Sequence, residues 1–360
     1  MSKKQPTGLS QHLQGHEKRR EEAQRLLREK RASRTLAELK NQNAVLAKAL
    51  EDATTKLDTV LTVIEDSSDY VLPAPKTLRS KKGNPSTVSV TLCSDLHVEE
   101  RVEGHRISYL NEHNLEISEE KLHRFWRNQV SLIKMMQAKA DVQTHVLWLG
   151  GDLFTGHIHE ELVETTELTP SQAILWLRKR IMAGIKYLRA ELDVPRIIVP
   201  CTYGNHGRST HKMRIATAAD HSWEWLMYQI MREDLEEQKL DGVEMIVPSG
   251  DIFYLHLLPD YAVRFLHGHQ ITYRGGTGGL HIPLNKRVEK WDRAKRANVT
   301  CFGHYHTKID LEYAVGNGSL IGFNAFAESL GFAPEPAQQV MFFVDLERKQ
   351  KTGTFPIHVT

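Results

Sequence analysis

Five short segments of this 360-residue chain carry residue types that hold divalent metals. They are Asp95-Leu96-His97, Gly151-Asp152, Gly204-Asn205-His206, His267-Gly268-His269 and Gly303-His304-Tyr305-His306. Each follows an apolar, β-rich run, at 88–92, 146–149, 196–199, 262–266 and 299–302. Such runs read as buried strands, and open α/β sheets bind ligands at the carboxyl ends of their strands. Side chains at i and i+2 of an extended segment point the same way. Asp95 and His97 can therefore reach one ion, and His304 and His306 can share a site. Mixed carboxylate, imidazole and amide donors suit Mn, Fe or Zn better than calcium.

Asp152 is the pivotal acid. After the Gly150-Gly151 turn it reads in isolation as a helix cap. Two ions roughly 3.5–4 Å apart need a bridging acid, a pattern widely used for displacement at phosphate esters. The four companion strand ends make Asp152 the candidate for that bridge, and the glycines then leave room for metals and phosphate.

In this order the segments resemble the signature of the calcineurin-like metallophosphoesterase superfamily: DxH, GD, GNH, a further H, and GHxH. The resemblance spans roughly residues 87–344. It implies an α/β fold, a β-sandwich of two mixed sheets flanked by helices. It further implies that Asp95, His97, Asp152 and His306 hold one metal, while Asp152, Asn205, His267 and His304 hold the second. His206 would contact the phosphate and protonate the leaving oxygen. The segment Gly150-Gly151-Asp152-Leu153-Phe154 is similar to the form found in the superfamily's DNA-repair-type nucleases.

Four local features depart from that pattern or compete with it. The superfamily commonly has an acid after GNH that orients the histidine, whereas Gly207 and Arg208 follow here. Arg208 could hold a phosphate oxygen, since guanidinium matches phosphate geometry, or could be a surface residue. Gly156-His157-Ile158-His159 also spells GHxH, but it follows no strand and so is not the last motif. His267 directly ends its strand and is preferred to His269 as the ligand. The glycine-rich loop 274–279 lacks the lysine of a phosphate-binding loop and reads as a mobile loop beside the cleft.

Positioning these residues requires a framework of alternating strands and helices. Helices are expected at 118–140, 170–192 and 216–238, with Pro170 suited to a first turn. Further strands are expected at 244–247, 252–257, 339–345 and 352–358. That alternation reads as α/β with helices packed on sheet faces. The catalytic domain is placed at 87–360.

The preceding segment has another character. Residues 1–16 read as a polar tail and 17–69 as a helix. Leu36, Leu39, Asn43, Leu46, Leu50, Ala53, Leu57, Val60 and Ile64 follow a three-four spacing, a heptad seam with Asn43 at an a position. The expectation is a homodimer through this coiled coil, with a helix folded back on the catalytic domain the competing reading. A basic linker occupies 70–86. The basic run 18–34 reads as a solvated helix face, with DNA contact the alternative.

A formal charge of +2 gives no global field for nucleic acid. The chain shows no apolar run of membrane-spanning length and no signal peptide. Cys93, Cys201 and Cys301 are odd in number and widely spaced, which fits a reducing cytoplasm. The leading expectation is a phosphodiesterase or nuclease using two divalent ions, Mn first and Fe or Zn next, with DNA as its partner. Its basis is local: Arg208, Lys212, Arg214, Arg274, Lys286 and Arg287 lie near site motifs in the sequence. A phosphomonoesterase acting on nucleotides or phosphoproteins is the rival, and a non-catalytic oligomeric scaffold is the reading from another class.

Overall fold

A computed structural model describes residues 86–273 and 279–360 continuously, and part of 22–51. The chain divides into two compact units, Met1–Glu65 and Asp66–Thr360. In the first unit the described residues are helical and exposed. Asn43, Leu46 and Leu50 of the heptad seam are among them, whereas Leu36, Leu39, Ala53, Leu57, Val60 and Ile64 lie outside the described residues, as does the expected linker up to residue 85. Among the described residues, no helix is long and apolar enough to cross a membrane.

The second unit is mixed α/β, with two mixed sheets. The six-stranded sheet uses β1 (Ser86–Cys93), β2 (Asp141–Leu149), β3 (Arg196–Pro200), β4 (Val243–Ile246), β10 (Gln338–Asp345) and β11 (Gln350–His358), in the order β11-β10-β1-β2-β3-β4. Its central pairs β1–β2, β2–β3 and β3–β4 are parallel, and β10 closes antiparallel on β1. The five-stranded sheet uses β5 (Ile252–Leu258), β6 (Tyr261–Leu266), β7 (Val299–Phe302), β8 (Ile309–Leu311) and β9 (Ala314–Gly316), in the order β5-β6-β7-β9-β8. Within it β6–β7 and β7–β9 are parallel.

Alternation along the strands joins the sheets. Val88, Val90, Leu92, Val146 and Trp148 from one sheet enter a single buried cluster with Val263, Phe265, Val299 and Cys301 from the other. The intervening Leu147 and Leu149 are also buried, on the opposite face of the sheet. The helices α1 (Leu115–Gln137), α3 (Pro170–Glu191) and α4 (Trp223–Gln238) form a connected layer, in which α1 contacts β2 and β11 and α4 contacts β4. On the second sheet α5 (His281–Ala294) contributes Leu284 and Val288 to a cluster with Leu266, Phe302 and Ile309. Two short helices, α2 (Glu160–Thr165) and α6 (Ala325–Ser329), complete the set.

Local signals fix the helix starts. Asn114 caps α1 by accepting from the Ile117 N–H at 2.8 Å, and Pro170 opens α3. The helix expected at 216–238 begins later. Ala219–His221 forms one 3-10 turn, and Ser222 turns extended to cap α4, accepting from Trp225 N–H. Because β1, β2 and β3 run parallel side by side, the loops after them leave at one edge of their sheet. Those after β6 and β7 do the same on theirs.

Trp148 shows what holds the two layers together. Its ring is fully buried, lies 5.7 Å from that of Phe265 on the other sheet, and its indole N–H donates to Thr202 Oγ1 at 3.0 Å. Trp148→Ala should destabilise the protein by about 3–5 kcal/mol, read as a lower urea midpoint with an unchanged slope.

Candidate metal centre

The chain leaves its strands abruptly where the expected ligands sit. Asp95 (φ 54°), His97 (47°), Asp152 (49°), His304 (71°) and His306 (53°) all adopt left-handed backbone. Non-glycine residues rarely do so, and clustered departures of this kind mark sites that their surroundings over-determine. The reason expected for pairing ligands, strand alternation, therefore does not apply. Asp95 and His97 still come together, but His304 and His306 diverge.

The residues converge in two trios whose potential ligand atoms lie within 4.8 Å of one another. One holds Asp95, His97 and His306; the other holds Asp152, His267 and His304. Asp152 belongs by this distance to the second trio alone. Each trio draws on both sheets. The two strand-end loops of the first sheet are zipped together by Asp95 N–H to Gly151 O at 3.0 Å and His97 N–H to Asp152 O at 3.3 Å. Across the sheets, His304 N–H donates to Asp95 Oδ1 at 2.9 Å. Within the first sheet's loops, His206 N–H donates to Asp152 Oδ1 at 2.8 Å.

Several polar atoms at the centre lack a protein partner. His97 Nε2 and Asn205 Oδ1 are buried and make no hydrogen bond. His267 is fully buried; its Nδ1 lies 2.8 Å from the Gly150 carbonyl, to which it donates, leaving Nε2 as the ligand atom. That nitrogen sits 2.9 Å from Asp152 Oδ2, its neighbour in the same trio. Buried polar atoms without partners are costly. Divalent cations held by oxygen and imidazole nitrogen, one in each trio, would give these atoms partners, so the residues fit such ions.

Burial and the carboxylates set the charges. Burial, reinforced by neighbouring imidazoles, holds His97 and His304 well below the usual histidine range, which leaves them neutral as metal ligation requires. Burial acts in the same sense on His267, but the Asp152 carboxylate outweighs it and lifts the ring to about 10. Burial would raise Asp152, and the charges of His267 and His206 overcome it to hold that acid well below its usual range.

Behind the centre are two carboxylates that motif reading missed. Glu224, in the first turn of α4, is fully buried. It accepts Leu153 N–H and Gly204 N–H, both at 2.7 Å. Burial, followed by the charge of Asp152, pushes its carboxyl up to about 7. Glu99 accepts Thr155 N–H at 2.8 Å and Gly156 N–H at 2.9 Å, and burial raises it to about 8. Thr155 in turn accepts from His206 Nδ1 through its carbonyl at 2.8 Å, and its Oγ1 lies 3.0 Å from His97 Nδ1. The available sequence signal was weak: a glutamate two residues after His97, and an empty side-chain position at Gly207.

The other histidines fall outside both trios. His269 packs 5.6 Å from the His267 ring with a buried, unpartnered Nδ1, and burial lowers it to about 4. His157 Nε2 pairs with Thr166 Oγ1 at 3.1 Å, and His159 precedes α2. Arg208 donates to the carbonyls of Asn205, Thr210 and His211, bracing its own loop. It also lines a pocket with Tyr203, Met213, Arg214, Asp251 and His269.

No protein-family model matches the sequence, and no curated protein matches it. Solved structures give remote likenesses. One is the Thermus thermophilus sulfate thiohydrolase SoxB in complex with glycerol, at 13% identity and TM-score 0.27, covering 78% of this chain and 57% of that one. The chain thus spans little more than half of that protein's length. Another is a hypothetical protein from Thermus thermophilus, at 12% identity and TM-score 0.28, covering 75% of this chain and 97% of that one. Overlap this low carries no argument about chemistry. The side-chain geometry carries it.

Asp95→Asn and Asp152→Asn should each weaken Mn binding by at least the roughly 10–100-fold that loss of an outer partner costs a metal site. Calorimetric titration checks this, and unchanged affinity in both variants would contradict the ligand assignment.

Proposed function

We propose that the chain is a dinuclear-metal-dependent phosphoesterase of the calcineurin-like type, hydrolysing phosphodiesters of nucleic acid. The observation that carries this reading is the convergence of Asp95, His97 and His306, and of Asp152, His267 and His304, from separate strand-end loops into adjacent trios. Asn205, with its unpartnered Oδ1, joins the second set, and Asp152 is assigned as the bridge. Two divalent ions, with Mn the first choice, would supply Lewis acidity and a shared water of lowered pKa.

The protein's own groups do the rest. His206 Nδ1 is committed to the Thr155 carbonyl, which fixes the ring and leaves Nε2 to exchange protons. From there His206 protonates the leaving oxygen as general acid. A guanidinium has five N–H donors, so Arg208 keeps some beyond its three carbonyl bonds to hold a phosphate oxygen. The choice of a diester in nucleic acid rests on the basic loop carrying Arg208, Lys212 and Arg214, with Arg208 and Arg214 lining the adjacent cavity. Backbone phosphates are bound by such residues whatever the base sequence.

The test is one panel with Mn: bis-p-nitrophenyl phosphate, p-nitrophenyl phosphate, and single- and double-stranded DNA. The diester and DNA should be cleaved, and His206→Ala should lower turnover by about 10²–10⁴-fold. Cleavage of the monoester alone would replace this reading with a phosphomonoesterase. Metal binding without any hydrolysis would leave the scaffold.

A further inference from the structure

We propose that Glu224 is a positioning residue for the centre, supplying from helix α4 the carboxylate for which Gly207 has no side chain. The inference rests on the reading of Asp152 and the Gly204-Asn205-His206 turn as the working site. Space is the first observation. A Cβ at Gly207 would meet Glu224 Cγ at 2.7 Å, Cδ at 3.0 Å and Oε2 at 3.1 Å. The volume that a side chain at 207 would occupy is thus filled by the Glu224 carboxyl group. The φ of Gly207 is not positive, so its backbone does not require glycine; the neighbouring carboxylate does.

The second observation is what that carboxylate binds. One oxygen takes the N–H of Leu153, which follows Asp152, and the other takes the N–H of Gly204, which precedes Asn205. Glu224 is therefore a two-pronged clamp between two loops that bear candidate ligands. Its own placement is fixed from the same side, because Trp223 N–H donates to Gly207 O at 2.8 Å and Ser222 caps the helix. Clearance at Gly204 is equally tight, since a Cβ there would land on the Asp152 carboxylate. Removing the clamp frees two buried N–H groups and loosens Asp152 relative to Asn205 and His206.

The shared volume makes the acid transferable. A carboxylate placed at 207 would enter the space that Glu224 fills, provided Glu224 is shortened. The experiment compares Glu224→Ala, Glu224→Gln, Gly207→Asp and the double variant Gly207→Asp/Glu224→Ala. Mn affinity is read by calorimetry and kcat against KM on bis-p-nitrophenyl phosphate, with thermal melts to confirm folding. Glu224→Ala should lose about 10–100-fold in Mn affinity and kcat, the scale of an outer partner, with KM within about twofold of the parent. Glu224→Gln, which retains one acceptor oxygen, should fall between. Gly207→Asp alone should be impaired by crowding, and the double variant should regain at least about tenfold over Glu224→Ala. Equal Mn affinity and kcat in folded Glu224→Ala and parent would overturn the proposal, as would a double variant no better than Glu224→Ala. If the parent binds Mn but hydrolyses nothing, the phosphoesterase reading fails while the Mn series still tests the clamp. If the parent binds no Mn, the metal-centre reading itself is overturned and the clamp with it.

Discussion

Four backbone N–H groups around the centre end on two buried carboxylates. Glu224 takes those of Leu153 and Gly204, and Glu99 takes those of Thr155 and Gly156. Each N–H left without a partner in this interior would cost about 1–3 kcal/mol. The segment from Asp152 to Gly156, which carries three of these groups, is neither strand nor helix, and neither is Gly204, so no ladder satisfies them. The two glutamates replace that ladder. They hold Asp152 in a left-handed conformation that only surrounding structure can impose, and they aim the Thr155 carbonyl at His206.

The centre also depends on the two sheets meeting. Asp95, His97 and Asp152 arise from the six-stranded sheet, and His267, His304 and His306 from the five-stranded one. Neither sheet alone forms a trio. The N–H bonds from His304 to Asp95 and from His206 to Asp152 set the acids before any cation arrives, which is preorganisation of the kind a metal site needs. Glycines make the approach possible. A Cβ at Gly303 would collide with the Asp95 carboxylate, and one at Gly151 with the Gly204 backbone. Their clearance serves the ligands and the neighbouring loop first, where the sequence pointed to metal and phosphate.

Much of this was legible because buried strands advertise themselves. The apolar runs before Asp95, Asp152, His267 and His304 are strands whose C-terminal ends fall within one residue of expectation, although β2 begins five residues earlier than its apolar run, and the residues that follow them are rare enough as a set to stand out. Periodicity was less useful elsewhere. The strands β8 and β9 are three residues each, too short to alternate. Helix α5 buries only Leu284 and Val288 and carries Pro283 in its first turn, so its pattern is faint. The division of His304 from His306 was opaque to strand geometry because both residues leave the extended region. Glu224 was opaque for another reason: a glutamate in the first turn of a helix is ordinary, and only the empty position at Gly207, far from it in the chain, gives it meaning.

The proposed role of Asp152 is to stand between two ions. Crystals of the full chain grown with Mn, measured for anomalous scattering at the Mn edge, test it directly. Two Mn peaks roughly 3.5–4 Å apart are expected, one against Asp95, His97 and His306, the other against Asn205, His267 and His304, with Asp152 touching both. A single peak, or two peaks with Asp152 bound to only one, would contradict it.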